Sequence, residues 1–187
     1  MNLLVTGKDV HIHQVLNDKP KETSTEMYKY RIENGENKNT EFKSSFRYNL
    51  HTKTAQANIA HSSLKTLVAF LNTDGGELFI GVRDDGELLG LDNDFKVSGK
   101  GKDKDAFLLT LDNLISAQIG AIHMGNISIE LPVIDETEIA MIKVRGKANA
   151  PVWLKNEGKE QFFIRRSAST VELTGEEIHK YTTEHWE

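Results

Sequence analysis

The most restrictive stretch of the chain runs from Ala55 to Val82, where a helical pattern gives way to an apolar strand. Ile59, Leu64, Leu67, Val68 and Leu71 recur on one helical face, so the spacing predicts a helix from Ala55 to Leu71. Asp74-Gly75-Gly76 stops it, because glycine accepts the left-handed backbone that ends helices. Glu77 to Val82 then reads as a short strand, Asp84-Asp85-Gly86 as a hairpin turn and Glu87 to Leu91 as a returning strand.

Elements on either side extend this unit. Thr40 to Phe46 alternates through Phe42 and Phe46 as a strand, which puts the Glu41 carboxylate on the face opposite Phe42. Phe107, Leu108, Leu111, Leu114, Ile115 and Ile119 mark a second amphipathic helix. Ile127, Ile129, Leu131 and Val133 alternate, Asp135 to Glu138 turns the chain, and Ile139 to Val144 pairs back antiparallel. Val152 to Leu154 and Gln161 to Arg165 flank a turn at Asn156 to Lys159, and Thr174 with Glu177 forms a capping box for a last helix through Ile178 and Tyr181. This order predicts an α+β fold, with a mixed, mainly antiparallel sheet and packed helices in a single lobe over residues 35–187. Residues 1–34, with the polar loop Lys19 to Glu26, read as an N-terminal arm outside that lobe.

A chain of 187 residues fits one domain with an extension, and its 38% hydrophobic and 27% charged content is that of a soluble globular protein. No apolar run approaches the ~18 residues of a membrane span, and the N-terminus lacks a signal-peptide pattern, so no membrane partner is expected and a cytoplasmic location is compatible. The absence of cysteine removes disulfides, thiolate zinc sites and thiol nucleophiles, so no zinc is expected. His11 and His13 alternate and the other histidines are scattered, without a metalloprotease motif. A net charge of −5 argues against a uniformly basic coat, so any nucleic-acid surface must be local.

Several residues have the chemistry for such a surface. Glu36 and Glu41 bracket the entry to the first strand, and Asp84 or Asp85 follows another. If the strands are neighbours these carboxylates converge on a hard divalent cation; otherwise they are solvated caps. Asp74-Gly75-Gly76 is either an anion nest or simply a helix cap. Arg165-Arg166-Ser167, with Ser169 and Thr170 following, joins guanidinium groups to hydroxyls in a form suited to phosphate, with a surface charge pair as the plain alternative. Lys43, Arg47 and Lys53, with Tyr48 and His51 between them, form a second basic segment. A third, Lys96 to Lys104, alternates with aspartates and reads as a solvated linker.

Together, Glu36, Glu41-Phe42-Lys43-Ser44, the run Val68 to Gly81, Asp84-Asp85-Gly86 with Gly90, and Phe163 to Thr170 resemble the Schlafen-type Alba domain family across about residues 33–181. The resemblance implies an Alba-like fold and a nucleic-acid partner, RNA favoured over DNA. Some Schlafen members are metal-dependent endoribonucleases acting on transfer and ribosomal RNA through two glutamates and an aspartate. Carried to this chain, it implies catalytic and metal-binding roles for Glu36, Glu41 and Asp84 with Mg²⁺ or Mn²⁺, Asp85 being the substitute for Asp84. Lys43 would offset charge on the phosphate, and Arg47, Lys53, Arg165, Arg166 and Ser167 would contact nucleic acid. Eukaryotic nuclease cores of the family pair two such lobes, so a homodimer would supply the second. Many bacterial relatives attach the domain to helicase-like, ATPase-like or regulatory regions, so the resemblance also implies the alternative expectation, a non-catalytic DNA- or RNA-binding or regulatory module.

Overall fold

The computed structural model describes residues 24–186. In chain order these form α1 (Ser24–Glu33), β1 (Thr40–Lys43), β2 (Tyr48–Asn49), β3 (Thr54–Ala55), α2 (Ala57–Leu71), β4 (Gly76–Ile80), α3 (Asp92–Lys96) and α4 (Lys104–Ile115). Then come β5 (Ile127–Glu130), β6 (Val133–Ile134), β7 (Thr137–Glu138), β8 (Ala140–Val144), β9 (Leu154–Asn156), β10 (Lys159–Arg166), β11 (Ser169–Leu173) and α5 (Glu176–Trp186). One sheet has the order β1-β4-β8-β5, with β1 parallel to β4 and the other pairs antiparallel. A second, antiparallel sheet has the order β11-β10-β9. The fold is therefore α+β with mixed, mainly antiparallel pairing. No described helix is long and apolar enough to cross a membrane.

Helix α2 fills the space between the sheets. Leu64, Leu67, Val68 and Leu71 are fully buried with Leu78, Ile80 and Ile142 from the first sheet and Leu154 and Phe163 from the second. Cover on both flanks also buries Ser63 and Thr66, polar positions that a helix with one wet face would leave in solvent. The helix starts at Ala57, two residues later than its apolar pattern, because Thr54 and Ala55 pair with Tyr48 and Asn49 in a small hairpin.

The other face of the first sheet has two rows. Register aligns Phe42 with Phe79 and Phe79 with Met141, and, one step along, Thr40 with Glu77 and Glu77 with Lys143. Helix α1 lays Tyr28 and Ile32 on the apolar row, in a cluster with Val82, Ile134 and Ile139. Residues 24–33, expected in an arm outside the lobe, thus cover one sheet face; His11 and His13 lie outside the described residues. The expected strand Glu87 to Leu91 is reduced to a single bridge, Val82 to Leu88, as the N–H groups of Leu89 and Gly90 both return to the Gly81 carbonyl.

Candidate nucleic-acid interface

The carboxylates expected to share a metal are held in separate structural roles. Alternate residues of β1 bond to β4, through the carbonyls of Asn39 and Lys43, which leaves Phe42 facing the open edge. Glu36 Oε1 accepts the Phe42 N–H at 2.8 Å and so satisfies that edge. Glu41 points to the opposite face from Phe42, where Oε2 lies 2.7 Å from Arg165 Nη2 and Oε1 pairs with Lys43 Nζ. Asp84 is exposed in the turn after β4, and Gly86 of that turn abuts Ile32 of α1, on the side of the sheet away from Glu41. Asp85 is chelated by Arg83, whose hydrogen bonds pull its carboxyl down to about 2.

Among the described residues no group of three Asp, Glu or His side chains is arranged to hold a metal ion. An Mg²⁺ or Mn²⁺ site at Glu36, Glu41 and Asp84 does not fit this geometry, since both Glu41 oxygens are neutralised by cations and Asp84 stands apart. Lys43, expected beside a scissile phosphate, also donates to the Phe42 carbonyl at 2.8 Å.

The basic residues are similarly divided. Strand β10 places Phe163 and Arg165 toward α2, and Phe162, Ile164 and Arg166 on the opposite face. Arg165 is only 3% exposed. Its guanidinium donates to the carbonyls of Asn37 (2.9 Å), Lys38 (3.2 Å) and Thr40 (3.2 Å) and to Thr170 Oγ1 (3.2 Å), and lies over the Phe70 ring. The phosphate contact expected of Arg165 is thus corrected to an internal clamp, while Arg166 and Ser167 remain exposed at the β10–β11 turn. Arg47 and Lys53 lie by the β2–β3 hairpin at the N-terminal end of α2, whereas Arg166 lines a cleft with Thr73 and Asp74, just past its C-terminal end. The 15-residue helix between them is about 22 Å long.

Two adjoining open clefts, of about 740 and 450 Å³, share Asp74 and make one basic face. Arg31, Lys143 and Arg145 line the smaller; Lys38, Lys147, Arg166 and Lys180 line the larger, besides the buried Arg165 already paired with Glu41. Against these seven stand Asp74, Glu77, Glu177 and Glu184. Glu77 bridges Arg31 and Lys143, and Lys38 pairs with Asp74 at 2.5 Å. Arg145, Arg166 and Lys180 have no ion pair or side-chain hydrogen bond among the described residues.

Most of this face was missed in the sequence reading. Its signal is Lys143, Arg145 and Lys147 at alternate, exposed positions with Val144 and Ala148 buried, continuing the alternation of β8. The glycine pair positions the clefts: Gly75, at φ +80°, passes so close to Gly146 that a Cβ would stand 2.4 Å from its nitrogen. Asn72 secures the same corner. Its Nδ2 donates to the carbonyls of Val152 (2.8 Å) and Phe163 (2.9 Å), its Oδ1 accepts the Val152 N–H (2.8 Å), and its carbonyl accepts the Tyr181 hydroxyl (2.9 Å).

An α+β domain with a mixed sheet, a helix between two sheets and a basic double cleft is the class that these features define. The chain belongs to the Schlafen, AlbA_2 family, whose model matches residues 36–174. Its fold is similar to the crystal structure of the DIP2311 protein from Corynebacterium diphtheriae, with TM-score 0.52 and 16% identity over 79% of this chain. The chain spans 24% of the length of that protein. No curated protein matches it.

Proposed function

We propose that this domain binds nucleic acid on the basic double cleft, with Arg145, Arg166 and Lys180 contacting phosphates and Lys38, Lys143 and Lys147 adding to the local field. The observation that carries this reading is the gathering of seven cations, three with no ion pair or side-chain hydrogen bond among the described residues, on one face of a chain whose net charge is −5. Cations left unpaired beside a cleft attract a polyanion, and phosphate contacts with displaced counterions supply most non-specific affinity. The expectation of a nucleic-acid partner from the family resemblance agrees with this reading. Binding without strand scission is the form that the geometry supports, because Glu36 and Glu41 serve the edge and interior of the fold.

The test is affinity for a labelled oligonucleotide by fluorescence anisotropy. Arg145→Glu is expected to weaken binding at least tenfold, and Lys53→Glu, at the far hairpin, to change it less than twofold. Equal losses in the two variants would remove the face from consideration.

A further inference from the structure

The larger cleft contains more than charge. A run of rings crosses the second sheet and α5: Trp153 to Phe162 with centroids 5.1 Å apart, Phe162 to Tyr181 at 6.0 Å, and Tyr181 stacked on His185 at 3.9 Å and 17°. His185, whose ring also lies 6.2 Å from that of Trp186 at 50°, is exposed and lines the cleft, so the run includes a ring that meets solvent. Its orientation is fixed, since Nδ1 lies 2.8 Å from the Tyr181 carbonyl. Lys147 reaches the same point, bonding the His185 carbonyl and sitting 4.8 Å from the centre of the Trp186 ring. Ile164 and Leu173 supply apolar wall, and Arg166 and Lys180 stand at the rim.

The second feature is the approach to this ring. Lys143, on the end of β8, and Arg145, just past it, stand at alternate positions, about 6.6 Å apart at the usual strand rise. That spacing is close to the separation of neighbouring phosphates on an unstacked strand. A track of cations ending at an exposed aromatic stack is the arrangement that sequence-tolerant single-strand binders use, because every base offers a π-face. A duplex has no free base to offer this ring.

We infer that the partner is single-stranded nucleic acid, with phosphates along Lys143, Arg145 and Lys147 and one base stacked on His185. This rests on the proposed binding at the double cleft and narrows its substrate class. The experiment compares a 12-nucleotide single strand with the blunt 12-base-pair duplex, using the full chain at one salt concentration. The single strand is expected to bind at least tenfold tighter. His185→Ala, at an exposed position, is expected to cost the single strand about tenfold, without changing its salt dependence or the affinity for duplex, and His185→Tyr, which keeps a ring, is expected to restore it. Equal affinity for the two forms, or an unaltered single-strand affinity in His185→Ala, overturns the inference while leaving binding at the cleft standing. Failure of both forms to bind, or binding indifferent to Arg145→Glu, instead overturns the underlying reading.

Discussion

Arg165 and Glu41 meet in the interior, where each is the condition for burying the other. A charge left alone there is far costlier than the pair, and removing one member of a buried pair typically costs about 3–5 kcal/mol. Glu41→Ala is therefore expected to lower unfolding stability by about that amount in urea titrations, by stranding Arg165. A loss below about 1 kcal/mol would show that the pair is not what holds Arg165. Tyr28 offers a second check. Burial, then its 2.6 Å hydrogen bond to Glu130, raise its hydroxyl from 10.0 to about 12. Raised above its unfolded value, the group contributes stability that is full below pH 10 and lost as pH rises through about 12. Ultraviolet titration should show a tyrosine ionising near pH 12 that is absent from Tyr28→Phe; no difference between the two would contradict the assignment. The Arg165-Arg166 motif was legible as chemistry but not as geometry. Adjacent strand residues point to opposite faces, so one arginine had to turn inward, and only the second sheet made known which.

At the scale of elements, strong periodicity carried over well. The helix ending before Asp74, the strand after Gly76 and the antiparallel pairing of β5 with β8 all follow the apolar spacing. Helix α1 escaped because Tyr28 and Ile32 are its only buried residues, too sparse a pattern to mark a packed face. Strand β11 escaped because Ser169 to Glu172 is mostly polar, and its pairing is imposed by β10. The β6–β7 turn holds Asp135 at φ +46° and Glu136 at φ +63°, a left-handed pair that side chains resist. Glu136→Gly is expected to stabilise the protein by about 0.5–1 kcal/mol, since glycine adopts this conformation without steric cost. A lower melting temperature in that variant would mean that the turn's conformation differs from the one described.

Across the whole molecule, the candidate site was only partly readable. The need for a local basic surface follows from net charge, and Arg166 belongs to it. Arg47 and Lys53 looked equivalent in sequence but are separated from it by the length of α2. Lys38, Lys143, Arg145, Lys147 and Lys180 come from three separate regions of the chain and become neighbours only because Gly75 packs on Gly146 and Asn72 ties α2 to α5. Glu36 and Glu41 show the converse, being close in sequence yet occupied by an edge strand and a buried arginine, while Asp84 stands on a separate exposed turn. The most direct test of the central claim is the salt dependence of binding to a single strand. With Arg145, Arg166 and Lys180 among the phosphate contacts, log K should fall against log[salt] with a slope steeper than about −2, and replacing all three by alanine should flatten the slope by about 2. A slope that the triple variant leaves unchanged would place the nucleic acid elsewhere on the protein.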